Sequence, residues 1–512
     1  MKFSPFCRVF AALWLLAGCA VPPGPSGLDF DTESARYVFN AGYRNIFDKY
    51  IDPVDIGALT VRGLGGLKEI DPAIDIERAG GRVQLLHDRV PVRDFASPGA
   101  GDVGGWAELS TQVIVAGRLF SGPLNDGTAD VIYDAVFKTA LSGLDGYSRY
   151  ANVEKARHYR AMREGFGGVG VTLDFEGPVV KVTEVLPDTP AARAGLEEGD
   201  VITHIDGEET AGLARSEVIS RLRGKISTWL RLTVTRKGKA TPLAVSVKRA
   251  LIVVPTVSLE RKGPYAYIRI SGFNQRTVHS LVDVLVAAKR QGRRKLKGIV
   301  LDLRNNPGGL LDQAVAVVDV FLTSGRIVST NGRHPDSHQL FDASGRDLAA
   351  NIPLVVLING RSASAAEIVA AALQDRGRAV VVGTNSFGKG TVQNITRLPN
   401  DGELIITWSR LYAPSGYSLQ GRGVLPTVCT ADEESSAADI MERLRHGRLN
   451  SAVLLASWRT ATDDQTVEEL RQSCPGSERT PESDLDLAAK LLEDRPLFAR
   501  ALELSAPALA SP

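Results

Sequence analysis

The chain has 512 residues, which at roughly 150 residues per domain predicts three or four domains. Its 60 lysines and arginines balance 59 aspartates and glutamates, so no overall field favours a nucleic acid as partner. The hydrophobic content of 44% is that of an ordinary globular protein.

The first residues have the pattern of an export signal. Lys2 and Arg8 precede the apolar run 9-VFAALWLLA-17, which is too short to span a bilayer but suits the core of a signal peptide. The segment Leu16-Ala17-Gly18-Cys19 resembles a bacterial lipobox, in which the cysteine is lipidated and becomes the mature N-terminus. Residues 1–18 are therefore predicted to be a lipoprotein signal peptide.

Lipidation at Cys19 would place the protein in a bacterial cell envelope with a lipid anchor in the membrane. Residues 19–29 are rich in proline and glycine and are predicted to be a tether. Ala20, rather than aspartate, follows the cysteine and resembles lipoproteins sorted to the outer membrane, on the periplasmic side. Plain secretion with a coincidental cysteine is the alternative.

Export makes the other cysteines informative. Cys7 would be lost with the signal and Cys19 acylated, which leaves Cys429 and Cys474. An even pair in an oxidising compartment is a disulfide candidate. Closing a loop of about 45 residues would contribute roughly 4 kcal/mol in the chain-entropy model. Two unpaired buried thiols is the alternative.

Residues 30–158 are predicted to form a mostly helical N-terminal domain. Helical periodicity covers Ala35–Tyr50 and Ala129–Leu144. Between them, residues 91–106 are rich in glycine, proline and aspartate and are predicted to be a loop or an insertion.

Residues 159–252 combine glycine-rich turns with short strand patterns. The pattern comprises 166-FGGVGVTL-173, a strand at Val179–Val185, the block 187-PDTPAARAGLEEGDVITHIDG-207, a helix at Ala214–Arg223, and strands at Leu230–Arg236 and Leu243–Val247. The whole run resembles a PDZ domain of the bacterial protease type, a β-sandwich-like fold with helices. The resemblance implies that Gly168, Val169, Gly170 and Val171 bind a protein tail. Inward N–H groups would hold its carboxylate while the peptide adds as a strand.

Residues 253–428 change to an α/β pattern. Buried strands are predicted at Tyr267–Ile270, Ile299–Arg304, Leu354–Ile358 and Ala379–Val382, and shorter strands at Thr391–Arg397 and Glu403–Leu411. Residues 429–512 are predicted to be a helical C-terminal extension. The fold class is therefore α/β and multi-domain.

The stretch 383-GTNSFGKGT-391 is close to a phosphate-binding Walker A loop, G-x-x-x-x-G-K-[ST]. Gly383, Gly388 and Lys389 are in register, but Gly390 stands where the magnesium-binding hydroxyl is required. A nucleotide-binding protein is therefore disfavoured, also because the predicted compartment lacks ATP. Lys389 must then serve other chemistry.

Ser364 lies at a predicted strand-to-helix turn, where 354-LVVLI-358 runs into 359-NGRSASAAEIVAAALQD-375. This position offers free N–H groups and the positive end of the helix dipole, which suit a developing oxyanion. The alternative is that Ser362 or Ser364 merely caps the helix.

A serine nucleophile needs a base, and none of the seven histidines lies in a strand-end loop of this α/β core with a carboxylate positioned to orient it. His334 and His338 have a spacing that suits a metal, but no third ligand accompanies them, so no metal site is predicted. Lys389 is the better base, since serine–lysine dyads are an established variant of nucleophilic catalysis.

A lysine acts as a base only when its amine is neutral. At a pKa near 10.4, less than roughly one part in a thousand is neutral at pH 7, but burial can lower that pKa by about 3–5 pH units. We expect Lys389 to be buried beside Phe387, with no aspartate or glutamate within ten residues to hold its charge.

Three blocks carry a resemblance to the carboxyl-terminal processing peptidases, or tail-specific proteases, over roughly residues 36–428. These blocks are 300-VLDLRNNPGGLL-311, 360-GRSASAAEIVAAALQD-375 and 383-GTNSFGKGTVQ-393. The interval between Ser364 and Lys389 is the family's spacing, and Gln393 matches the residue that orients the lysine there.

The same resemblance implies an oxyanion hole with one N–H from Gly308 or Gly309 and another from Ala365. Gly146 replaces a usual proline and Ser227 a usual glycine, and residues near 73–128 look like an insertion relative to the family.

The sequence thus predicts a serine endopeptidase of the cell envelope. Its PDZ domain would capture unfolded or flexible C-terminal tails of envelope proteins and pass them to a Ser–Lys–Gln site that needs no metal or other cofactor. The alternative is a non-catalytic PDZ adapter that presents tails to another hydrolase. The sequence does not name the natural substrate or an adapter partner, and it does not decide whether the chain forms homo-oligomers or whether the PDZ domain gates activity. The roles of the insertion and of the C-terminal helices also stay open.

Overall fold

The computed structural model describes residues 30–290, 296–349, 352–432 and 434–505. The predicted signal peptide, the tether and Cys19 lie outside these residues. The chain divides into two compact units: one contains residues 30–40 and Gly57–Ala140, and the other contains Ala41–Ile56 and the chain from Leu141 onward. In the described part of the chain, no helix combines the length and apolarity that a membrane crossing requires.

The N-terminal part combines helices with a small antiparallel sheet. The helices are α1 (Thr32–Lys49), α2 (Ile56–Leu64), α3 (Val103–Phe120), α4 (Gly122–Asp126) and α5 (Ala129–Leu141). The strands are β1 (Ile74–Ala79), β2 (Arg82–His87) and β3 (Val90–Ala96), in the order β1-β2-β3. Trp106, Phe39 and Phe137 are fully buried in the core of the first unit.

The prediction of a loop over residues 91–106 is wrong for most of that range, because β3 extends to Ala96 and α3 begins at Val103. Gly80 and Gly81 both have positive φ, as the tight two-residue turn between β1 and β2 requires. The glycines and prolines of this region therefore punctuate a sheet, and the predicted mostly helical domain contains a β-meander.

The PDZ region forms a second sheet within the other unit. Two elements precede this region, β4 (Arg149–Ala151) and α6 (Val153–Glu164). The region itself contains β5 (Phe166–Gly168), β6 (Val171–Glu176), β7 (Val179–Val185), α7 (Pro190–Arg193), β8 (Val201–Ile205), β9 (Glu208–Glu209), α8 (Arg215–Leu222), β10 (Trp229–Thr235), β11 (Leu243–Lys248) and β12 (Ala250–Ile252). The sheet order is β11-β10-β8-β7-β6, while β9 pairs with β8, and β5 with β12. Helix α8 buries Val218 and Leu222 against this sheet. Strand β6 is last in the strand order and is therefore an edge strand.

The core that follows is built on two sheets. Its elements are β13 (Val257–Lys262), β14 (Tyr265–Ile270), α9 (Thr277–Arg290), β15 (Gly298–Asp302), α10 (Leu311–Asp319), β16 (Gly325–Asn331), β17 (Gln339–Ala343), β18 (Leu354–Ile358), α11 (Ala365–Asp375), β19 (Val380–Gly383), β20 (Thr391–Arg397), β21 (Glu403–Tyr412) and β22 (Val428–Cys429). One sheet has the order β13-β14-β15-β18-β19-β22 and is parallel from β14 to β22. The other has the order β17-β16-β21-β20, with β4 also paired to β21. Strands β15 and β18 are buried throughout, as their continuous apolar runs predict for a parallel sheet.

The C-terminal extension is a structural layer of this core. Its helices are α12 (Ala437–Arg445), α13 (Ser451–Thr460), α14 (Asp464–Gln472), α15 (Glu482–Glu493) and α16 (Arg495–Ser505). Leu487 and Leu491 of α15 pack with Val355 and Val382 on one face of the parallel sheet, whereas α9, α10 and α11 cover the other face. A disulfide joins Cys429 at the end of β22 to Cys474 just after α14.

Candidate active site

Ser364 lies between β18 and α11, at the carboxyl edge of the parallel sheet. Its backbone has φ +55° and ψ −113°, a conformation that side-chain-bearing residues rarely adopt and that functional sites often retain. Ser364 also occupies the N-cap position of α11. The capping role that the sequence left as an alternative therefore coincides with the position at which a nucleophile would profit from the helix dipole.

Two backbone N–H groups beside the serine have no acceptor in the described part of the chain. They belong to Ala365, the first residue of α11, and to Gly309. Gly308 instead donates its N–H to Asn306 Oδ1 at 2.8 Å. A Cβ built on Gly308 would lie 2.9 Å from Ser364 Cβ, so this glycine permits the loop to approach the serine. Of the three predicted oxyanion donors, Gly309 and Ala365 are available here and Gly308 is engaged.

A buried carboxylate connects the serine loop to the lysine loop. Oε1 of Glu367 accepts hydrogen bonds from Ser386 Oγ and the Gly388 N–H, both at 2.6 Å. Oε2 accepts from the Ser364 N–H at 2.6 Å and the Lys389 N–H at 2.9 Å. Burial raises the pKa of Glu367, and the four donors act in the opposite direction because each favours the carboxylate. The backbones of Ser364 and Lys389 are thus held on one oxygen atom.

The sequence contained a signal for Glu367 that was missed. The run 364-SAAE-367 matches the capping-box pattern S-x-x-E, in which the glutamate reaches back to the N-cap N–H. No aspartate or glutamate lies within ten residues of Lys389 along the chain, but Glu367 precedes it by 22 residues and contacts it in the fold. The expectation that no carboxylate lies near Lys389 is therefore wrong, because the fold brings Glu367 into contact with it.

The Lys389 side chain is half-buried. Burial lowers the pKa of its amine, and the positive charge of Arg149 acts in the same direction. Glu367 and Asp145 oppose that change, because their negative charges favour the ammonium form. The net direction is downward, toward a lysine that is neutral more often than a free one.

Phe387 does not bury the lysine as predicted, since 52% of its surface is exposed. Tyr147 is the aromatic neighbour, with Lys389 Nζ 5.2 Å from the centre of its ring. The turn that carries Tyr147 is fixed by Asp145, whose Oδ1 accepts the N–H groups of Tyr147 at 2.6 Å and of Ser148 at 2.7 Å.

Gln393 lies in β20, where its Nε2 donates to Thr391 Oγ1 at 2.9 Å. The pairing of β20 with β21 shifts register between Val392 and Gln393. The simple alternation that would place residues 389 and 393 on one side of a strand is therefore broken at this point. The orienting contact to Lys389 that the family resemblance implies is absent from the hydrogen bonds of the described residues.

The predicted tail-binding residues lead into edge strand β6. The N–H groups of Val169 and Gly170 make no backbone hydrogen bond to another described residue. Gly170 has φ +91° and packs so closely that an added Cβ would lie 2.3 Å from Thr189. Val169 is only 3% exposed and belongs to the PDZ core, whereas Val171 is half-buried. The loop therefore presents N–H donors at the start of an open strand edge.

Among the described residues, no histidine, cysteine and acidic side chains cluster in a way that could hold a metal. His334 Nδ1 accepts the Asp336 N–H at 3.2 Å, and His338 Nε2 donates to the Gly332 carbonyl at 2.7 Å. These two imidazoles shape their own loop.

Comparison with known proteins identifies two families along the chain. Residues 264–430 match the model of peptidase family S41, and residues 181–236 match a PDZ domain model. A carboxy-terminal-processing protease of Bartonella bacilliformis is 44% identical over 290 residues, which cover 56% of this chain and 67% of that protein. A "Probable CtpA-like serine protease" of Staphylococcus aureus is 36% identical over 304 residues, 58% of this chain and 60% of that protein.

Fold and matches together define a serine-type peptidase that carries a PDZ domain. The chain belongs to peptidase family S41. It spans about two thirds of the length of these two curated relatives, 67% and 60%. Among solved structures, a photosystem II D1 C-terminal processing protease shares 23% identity over 78% of this chain and 95% of that chain, with a TM-score of 0.39. That score is too low for a detailed comparison of the two structures.

Proposed function

We propose that this protein is an endopeptidase that processes C-terminal tails of cell-envelope proteins, with Ser364 as nucleophile and Lys389 as base. The observation that carries the proposal is the bond of both backbone N–H groups to Glu367 Oε2, which brings the serine loop and the lysine loop together. Family membership and the names of the relatives support it.

In this mechanism neutral Lys389 takes the proton of Ser364 Oγ as that oxygen attacks the scissile carbonyl. The N–H groups of Gly309 and Ala365, with the positive end of α11, stabilise the oxyanion. The C–N bond then breaks, the lysine returns its proton to the leaving amine, and an acyl-enzyme remains. Water attacks that ester with the lysine again as base, which releases the new carboxyl terminus.

The PDZ domain supplies the preference for tails. A peptide can add to edge strand β6 beside α8, with its terminal carboxylate on the free N–H groups of Val169 and Gly170. An extended, unfolded tail fits this geometry because strand addition needs an unpaired backbone.

Tail selection is tested with matched peptides ending in Ala-Ala, Ala-Ala-amide and Asp-Asp. Amidation removes the charge that the N–H groups hold, and acidic side chains are costly to desolvate beside an apolar groove. We expect KM to rise for both altered peptides with a smaller change in kcat. Gly170→Ala should impair the free Ala-Ala peptide in the same way, since its Cβ would meet Thr189. Equal kcat/KM for all three peptides would contradict tail selection.

Activity should fall as the pH drops through the Lys389 pKa, because the protonated amine cannot accept the serine proton. Arg149→Met removes a charge that lowers this pKa, so the acidic limb of the kcat/KM profile should move to higher pH. Arg149→Lys keeps the charge and is the matched control. A profile unchanged in Arg149→Met, or flat in the wild type from roughly pH 5 to 9, would contradict Lys389 as base.

A further inference from the structure

The C-terminal extension contributes a segment that lies against both proposed catalytic loops. We call residues 474–481, between α14 and α15, the strap. The serine loop is residues 359–364 and the lysine loop is residues 384–389. The match to the S41 family model ends at residue 430, so the strap lies beyond it.

Ser477 bonds to both loops through its backbone. Its carbonyl accepts the Gly360 N–H at 2.7 Å, which fixes the serine loop. Its N–H donates to Thr384 Oγ1 at 3.1 Å, and that hydroxyl lies 3.4 Å from the same carbonyl, which fixes the lysine loop. One residue of the strap therefore bridges the segments that lead to Ser364 and Lys389.

Close packing surrounds this bridge. A Cβ on Gly360 would lie 3.0 Å from the Ser477 oxygen, and a Cβ on Gly476 would lie 3.0 Å from the Asn385 oxygen. Asn359 Nδ2 also donates to the carbonyls of Glu478 at 3.3 Å and Arg479 at 3.2 Å. The strap thus touches the serine loop and the lysine loop at backbone level, where small displacements are transmitted directly.

Both ends of the strap are anchored to the parallel sheet. The disulfide of Cys474 fixes one end to Cys429 of β22. At the other end the Pro481 carbonyl accepts from Arg304 Nη1 at 3.0 Å, and Arg304 forms a buried ion pair with Asp484 at 3.1 Å. Arg304 lies two residues after the end of β15 and precedes the loop that carries Gly308 and Gly309.

We infer that the strap is a positioning element of the active site, which holds the serine and lysine loops in register and depends on the Cys429–Cys474 disulfide. The inference rests on the proposed function, because it assigns the strap a role through Ser364 and Lys389. A dithiol that reduces this disulfide to two thiols, and is itself oxidised to a disulfide, would free one end of the strap.

Thr384→Val tests the bridge, since valine keeps the volume and loses the hydroxyl that meets Ser477. Misplacement of reacting groups by about 1 Å costs on the order of 10²-fold. We therefore expect kcat and the rate of Ser364 labelling by a fluorophosphonate to fall about tenfold or more, with KM nearly unchanged. Thr384→Ser retains the hydroxyl and should restore most of the rate. Thermal unfolding of each variant reports whether the fold is intact.

The Cys429→Ser/Cys474→Ser full-length chain, and the wild type treated with dithiothreitol, should show the same loss of labelling rate. If this double variant fails to fold, Thr384→Val decides alone. Wild-type labelling and kcat in folded Thr384→Val, or a change confined to KM, would overturn the inference. Turnover by Ser364→Ala would overturn the proposed function instead, so the two failures are distinguishable.

Discussion

Replacing Ser364 by alanine, or Lys389 by methionine, is expected to reduce kcat/KM for a tail-bearing peptide by about 10⁴-fold or more. Alanine removes the nucleophilic oxygen, and methionine keeps the apolar stem of the lysine while removing the base. Cleavage of an unfolded substrate by purified variants, followed by mass spectrometry of the products, measures the loss.

The fold should survive both changes, because the backbone N–H groups of residues 364 and 389 can still donate to Glu367. Circular dichroism and thermal unfolding provide this control. Fluorophosphonate should label the wild type at Ser364 and leave Ser364→Ala unlabelled. Substantial turnover by either folded variant would refute the dyad.

Glu367→Gln should give the second-largest effect. An amide oxygen can replace one carboxylate oxygen, but the amide nitrogen cannot accept the N–H groups that the other one holds. Unpaired buried donors cost about 1–3 kcal/mol each, so we expect the free energy of unfolding to fall by about 2–4 kcal/mol. We also expect kcat to fall by about 10²-fold, since either orientation of the amide leaves one backbone N–H of the lysine loop, that of Gly388 or of Lys389, without its acceptor.

Urea denaturation and peptide kinetics measure these two effects. Glu442→Gln on α12 is the matched control, because it makes the same change of charge at an exposed position. A Glu367→Gln protein with wild-type kcat would show that the shared acceptor has no part in aligning the site.

The sequence predicted the elements whose signals are local. The apolar runs of β18 and β19 predicted buried parallel strands, and the turn after β18 made Ser364 the candidate nucleophile. The three PDZ strands that the sequence predicted, at Val179–Val185, Leu230–Arg236 and Leu243–Val247, agree with β7, β10 and β11 to within one residue. These signals arise from burial and backbone geometry, which act over a few residues.

Contacts between distant segments were not predictable in this way. Glu367 reaches Lys389 across a loop, Tyr147 approaches it from another strand connection, and Ser477 reaches Thr384 from the C-terminal extension. No periodicity in the sequence indicates these contacts, because each one depends on which loops the fold brings together at one edge of the sheet. The Gly80-Gly81 turn, by contrast, carried a local hairpin signal that composition obscured.

The backbone of Ser364 also bears on how such a protein could change its role. Its φ of +55° is strained for serine and relaxed for glycine, which has no Cβ to clash. Ser364→Gly should therefore be inactive. Its free energy of unfolding should exceed that of Ser364→Ala by about 1–2 kcal/mol, which thermal unfolding would show as a higher melting temperature. A single substitution would then turn a protease into a more stable tail-binding protein that no longer cuts. In evolutionary terms, the step from enzyme to adapter would then meet no barrier of folding.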